Sequence, residues 1–217
     1  MKDLQRTYLE LLHVARRLIA SPEVEARWDQ PSALPEYRMD ALAGHLLHAA
    51  TVTVIEGLET PAPTGIEPLS ATEYWVSALR HPQWNDLDWD VHVRLRDAGQ
   101  RQAAGGYRAF LEEFDRLVQV VTAYLETEPD DRLVSVYAGH AASRLDEYLK
   151  SRVIECVVHI DDLAVSAAVE TPALPALAMT VTIHELVEMA RLVRGDLAVV
   201  RALSRRERDA VNALRVI

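Results

Sequence analysis

Cysteine is nearly absent: Cys156 stands alone among 217 residues. No intrachain disulfide can form, which fits a reducing compartment. No run of about 18 apolar residues occurs, so nothing reads as a membrane span. The N-terminal stretch lacks the apolar core of a signal peptide, because Asp3, Glu10, His13, Arg16 and Arg17 interrupt it. A cytoplasmic location is the expectation. Basic charge is also short: 23 Lys and Arg against 33 Asp and Glu leave a formal net charge of −10. Nucleic acids and anionic membranes both need a positive footprint, so neither is an expected partner. A Gly-rich phosphate loop, paired CxxC, GxSxG and HExxH are all missing, which removes several common chemistries.

What is there is helical periodicity and enough apolar residues for one generous core. A single domain over 1–217 is expected, since no composition shift marks a boundary. Residues 3–20 carry Leu4, Leu11, Val14, Ala15, Leu18 and Ile19 near an i, i+3, i+4, i+7 stripe, ended by Ser21-Pro22. Residues 38–58 read as a second helix with Asp40 in its first turn, where its charge suits the dipole. A short helix over 71–80 closes at His81-Pro82. Residues 99–127, interrupted near Gly105-Gly106, then 142–169 and 176–194 are further helices, and 204–214 is a short closing one. The stretch DWDVHVRLR alternates polar and apolar, which fits a short strand or an extended loop. LVSVYAG reads as a connection. Four long helices plus shorter pieces make an all-α bundle the expected architecture.

The chemistry sits in RVIECVVHIDD, residues 152–162. Glu155 and His159 are four apart, so on a helix they share one face, one turn from each other. Val153, Ile154, Val157, Val158 and Ile160 surround them, which puts that face inside. A buried carboxylate must be paired, metal-bound or protonated. Glu155 can pair with Arg152, or the pair can hold a metal ion with a third ligand from another helix. His45 and His48, three apart in GHLLHAA, are the candidates, and Gly44 lets a partner approach closely. His184 is expected as a partly buried core histidine. His81, His92 and His140 are expected in surface loops, and His13 at a helix boundary. Cys156 points about 100° away from Glu155 around the helix and is expected as a small core residue. Trp28, Trp75, Trp84 and Trp89 either line a cleft or pack beneath loops.

Two segments resemble a known family. WDQPSALPEYRMDALAGHLLHAA is similar to the N-terminal signature of the mycothiol-dependent maleylpyruvate isomerase family, a Pro-Ser-x-Leu-Pro loop before a helix bearing a histidine. DEYLKSRVIECVVHIDDLAVSAA resembles its second and more specific signature, Arg-x-x-Glu-x-x-x-His-x-x-Asp-Leu. The resemblance covers most of the chain. It implies a DinB-like four-helix bundle with extra short helices and long loops. By motif, the metal ligands fall on His45, Glu155 and His159, an acidic residue implicated in the reaction on Asp162, and the arginine opening the signature on Arg152. His48 has no counterpart. The family's loop usually has Trp where this chain has Tyr37. The isomerase itself carries an additional C-terminal domain and none precedes Ile217, so the metal site is expected to be kept more firmly than the specific isomerase activity.

The resemblance implies a metal-dependent isomerase or S-transferase that uses a low-molecular-weight thiol such as mycothiol against an electrophilic substrate. Three protein ligands leave a position open, as in catalytic sites. A His₂Glu set suits Zn²⁺ first, and also Ni²⁺, Co²⁺ or Fe²⁺. Asp162 would orient a ligand or move a proton. Arg152 would bind a carboxylate, or close a salt bridge to Asp146 or Glu155. The alternative reading is a non-catalytic metal or small-ligand binding bundle. Monomer and homodimer are both compatible with the sequence.

Overall fold

The computed structural model describes residues 2–207 and 210–217. The first helix, α1 (Asp3–Ile19), forms where the sequence stripe places it, with Asp3 in its first turn and Arg16 and Arg17 in its last. Tyr8, Leu11, Leu12, Ala15 and Ile19 are wholly buried on its inner face. Ser21 caps a single turn, α2 (Pro22–Glu25). After a loop come α3 (Met39–Leu47), a π-helical turn over His48–Val52, and α4 (Thr53–Glu59), which together make one continuous rod. That rod is long and apolar enough by composition to cross a membrane. Most of its apolar stretch is buried within the fold, as in the core helix of a globular protein.

A Ser70/Glu73 capping box starts α5 (Ala71–Leu79). Two longer helices follow, α6 (Asp90–Ala103) and α7 (Tyr107–Thr127), separated by Gly106 at φ 83°. The chain then passes through α8 (Leu145–Ala167) and α9 (Ala176–Arg194) to α10 (Asp196–Ser204) and α11 (Ala210–Leu214). The four long rods α1, α3–α4, α7 and α8 pack on one another, with α6 laid on α3, and α5 and α9 on α8. The fold is all-α, with one two-stranded sheet among the described residues.

Three local expectations need correction. DWDVHVRLR is neither strand nor loop but the start of α6. A lone strand has no ladder to satisfy its backbone, whereas a helix satisfies itself, with Val93 N donating to Trp89 O at 3.0 Å. LVSV is not a connection but β1 (Leu133–Val136), paired antiparallel with β2 (Ala141–Arg144) in the register Leu133↔Arg144. Its partner was hidden at the head of the segment read as helix 142–169, which becomes helical only at Leu145. The closing helix read over 204–214 divides instead: α10 ends at Ser204 and α11 begins at Ala210, while Arg208 and Asp209 of that segment lie outside the described residues.

Candidate metal centre

Little of α8 faces water. It packs against α1, α3, α5 and α9, and every residue from Ser151 to Val157 is buried. Arg152 and Glu155 are therefore inside the bundle, 2% and 9% exposed. Charges that deep require partners. Glu155 Oε2 lies 3.1 Å from His159 Nε2, one turn along the same helix. It also lies 3.7 Å from Nε2 of His45, a buried residue of α3. Its other oxygen lies 3.8 Å from Arg152 Nη1. The His45 and His159 rings stand edge to face with centroids 4.8 Å apart. One donor atom from each of His45, Glu155 and His159 can be chosen so that all lie within 4.8 Å of one another.

Each member is held from behind. Asp162 Oδ2 is 2.9 Å from His159 Nδ1, which turns Nε2 toward Glu155. Arg152 donates from Nη1 to the Ala49 carbonyl at 3.2 Å and from Nε to Ser151 Oγ at 3.1 Å. Its guanidinium lies against the Tyr74 and Tyr148 rings, 5.1 and 4.9 Å to their centroids, the two rings standing edge to face 5.8 Å apart. Of the two salt bridges considered for Arg152, only that to Glu155 forms, since Asp146 pairs with Arg144 at 2.9 Å. The π turn explains the Ala49 contact. A π turn disturbs the regular ladder and leaves carbonyls to be satisfied from outside the helix. Arg152 takes that of Ala49, and the Tyr8 hydroxyl takes that of Ala50.

The electrostatics follow from this packing. Burial works to neutralise Glu155, but hydrogen bonds from His159 and His45 and the charge of Arg152 hold its carboxyl well below the usual range. Burial also opposes charge on His159, yet Asp162 and Glu155 overcome it and raise the imidazole to about 9. Burial depresses His45, with only Glu155 pulling the other way. Burial pushes the Tyr37 phenol up to about 12; Arg96 opposes this and Glu155 adds to it. Tyr37 comes from the loop before α3 and sets its ring edge-on to His45, centroids 5.8 Å apart.

These residues fit a divalent cation. Two imidazoles and one carboxylate converge, and His45 Nδ1 is buried with no hydrogen-bond partner among the described residues. Of the two histidines offered as third ligand, His45 joins the cluster. His48 lies half-buried at the start of the π turn, outside that group. Other expectations fare unevenly. His184 is no core residue; it lies on the solvent side of α9 with its side chain 70% exposed. His92 is half-buried within α6, 2.7 Å from the Trp84 carbonyl, rather than in a surface loop. Cys156 is buried, its thiol pushed up by burial and by Glu155, which suits a core residue. Trp28 packs on Tyr107 and Phe110. The aromatic residues Tyr37, Tyr74 and Tyr148 were missed; an i, i+4 relation of Tyr148 to Arg152 was the available signal.

Gly44 and Gly99 fix where His45 sits. A Cβ on Gly44 would fall 2.0 Å from the Gly99 carbonyl oxygen, and one on Gly99 would fall 2.9 Å from His45 N. Backbone meets backbone here, so neither side can yield by a rotamer change. Gly44→Ala and Gly99→Ala are each expected to cost about 1–3 kcal/mol by overpacking, read as a drop in melting temperature. Unchanged melting in both would refute this close crossing.

A helical bundle with a buried His₂Glu cluster defines the class: a DinB-like metal-binding fold. The mycothiol maleylpyruvate isomerase N-terminal domain family matches residues 9–164, a span that contains His45, Arg152, Glu155, His159 and Asp162. The chain belongs to that family. No curated protein and no solved structure matches it.

Proposed function

We propose that this chain is a single cytoplasmic, metal-dependent domain that directs a low-molecular-weight thiol, such as mycothiol, onto an electrophilic substrate as an isomerase or S-transferase. The observation that carries the reading is the convergence of His45, Glu155 and His159 inside a fold of this family. These three residues would hold the ion, Zn²⁺ by preference, with fewer protein ligands than a closed structural site uses. A bound divalent ion supplies Lewis acidity that favours the anionic form of a thiol. The chain's own residues do the rest. Asp162 keeps the His159 ring oriented toward the pocket. Arg152 keeps Glu155 ionised, and its guanidinium would offer a donor to a carboxylate of thiol or substrate.

Elemental analysis tests this, on protein purified without metal-affinity resin. Native protein is expected to carry close to one divalent ion per chain, and His45→Ala and His159→Ala to lose it. Native protein that holds no ion after incubation with Zn²⁺ or Ni²⁺ would end the reading. Thiol consumption across a panel of electrophiles then separates enzyme from carrier, since ion retained without turnover identifies a binding module.

A further inference from the structure

Ser135 carries a hydroxyl that the fold does not use. The residue is 6% exposed, and its Oγ is buried with no hydrogen-bond partner among the described residues. Its place in the hairpin explains why. Across the ladder it faces Ala142, which has no polar side-chain atom. Ser143, one residue further along β2, instead donates its hydroxyl to the Leu69 carbonyl at 2.7 Å. A buried hydroxyl left unpaired calls for a partner that the chain does not supply.

Ser135 lines a cavity of about 320 Å³ between α4 and the turn that joins β1 to β2. Small-ligand sites occupy roughly 300–1,000 Å³, so this one suits a small molecule. Its walls are fixed. Gly57 brings α4 so close to β1 that a Cβ there would fall 2.8 Å from the Ser135 carbonyl oxygen. On the turn, Tyr137 and Ala138 both hold φ at 53° and Gly139 holds φ at 89°, left-handed values that non-glycine residues seldom adopt. The Ser135 hydroxyl lies against this turn, 4.0 Å from where a Cβ on Gly139 would stand. Two further lining groups have capacity to spare. The Tyr148 hydroxyl reaches the Thr53 carbonyl only at a long 3.5 Å. Glu56 is exposed, and its carboxylate makes no hydrogen bond or ion pair among the described residues. No Lys, Arg or His lines the cavity, and none of the three candidate metal ligands reaches it.

We propose that this cavity is a second binding site, for a small uncharged polyol or sugar, with Ser135 Oγ donating to one ligand hydroxyl and the Glu56 carboxylate accepting from others. A carboxylate only accepts, whereas a serine hydroxyl must also donate. A ligand hydroxyl does both, so a polyol satisfies the two residues together. An ammonium group only donates and would leave the Ser135 proton unpaired. An anionic ligand would meet Glu56 with no lining cation to offset the repulsion. The site is independent of the metal reading above.

The test is a titration of isotope-labelled protein with D-glucose, D-mannitol and glycerol, followed through amide chemical shifts. At least one of the three is expected to shift the Gly57, Ser135 and Gly139 signals saturably. Ser135→Ala is expected to bind that polyol about fivefold more weakly, and to melt no lower than native protein, since the hydroxyl removed has no partner in the fold. D-Gluconate, which keeps the hydroxyls and adds a negative charge, is expected to bind native protein more weakly than the polyol, and Glu56→Gln to narrow that gap. No saturable shift with any of the three would mean that Ser135 bonds to water alone, and overturns the proposal. Unchanged binding in Ser135→Ala overturns it too, as does a lower melting temperature in that variant, which would show the hydroxyl serving the fold.

Discussion

Arg152→Met is expected to lower the folding stability of the metal-free protein by about 3–5 kcal/mol, the range for removing one partner of a buried ion pair. Three losses coincide at this position. Glu155 keeps its burial but loses its permanent cation. The Ala49 carbonyl loses one side-chain donor and keeps the Thr53 hydroxyl at 2.8 Å. Tyr74 and Tyr148 lose the cation beside their rings. Methionine fills much of the volume, so a large loss reports electrostatics and hydrogen bonding rather than a cavity. Urea unfolding of Arg152→Met, Glu155→Gln and the double variant separates the contributions. If the ion pair dominates, the double variant is more stable than the sum of the single losses predicts. Strict additivity would place the cost in the Ala49 contact and the two tyrosine rings instead.

Asp162→Asn is expected to weaken divalent-ion affinity about tenfold, and Asp162→Ala about a hundredfold, the range found for residues that orient a metal-binding histidine. Asp162 Oδ2 engages His159 Nδ1 and leaves Nε2 facing Glu155, so its expected effect on the ion runs through the His159 ring. Asparagine retains an oxygen that can accept from Nδ1 but not the negative charge that makes the imidazole a stronger ligand. Alanine retains neither. Competition against a chromophoric chelator measures both, and equal affinity in all three proteins would show that the ring is held by packing alone. The metal-free Asp162→Ala protein is also expected to melt lower, because it loses a largely buried ion pair with His159.

The sequence made the ligand helix legible because its two requirements are local. Glu155 and His159 share a face by spacing, and their apolar neighbours put that face inside. His45 was legible only as one of two histidines, because choosing between His45 and His48 depends on how α3 crosses α8. The head of α6 misled because alternation over nine residues mimics a strand. What decides the matter is Gly99 meeting Gly44, a contact between segments far apart in the chain. The hairpin failed for the same reason: β1 is a strand only because Ala141–Arg144 returns beside it. Tyr37 was visible as a residue, but its nearness to His45 comes through a loop whose Ala33 N donates to Ser166 Oγ on α8 at 2.9 Å, a contact far apart in sequence.

Two of the three candidate ligands, Glu155 and His159, lie on one helix, and the third, His45, comes from another. An ion shared between them is thus a removable staple. It would pin two points of the chain separated by a loop of roughly a hundred residues, a constraint on the unfolded state comparable in the chain-entropy picture to a disulfide worth on the order of 4–5 kcal/mol. A protein with a single cysteine would in this way acquire a cross-link that answers to the supply of metal rather than to the redox state of its surroundings.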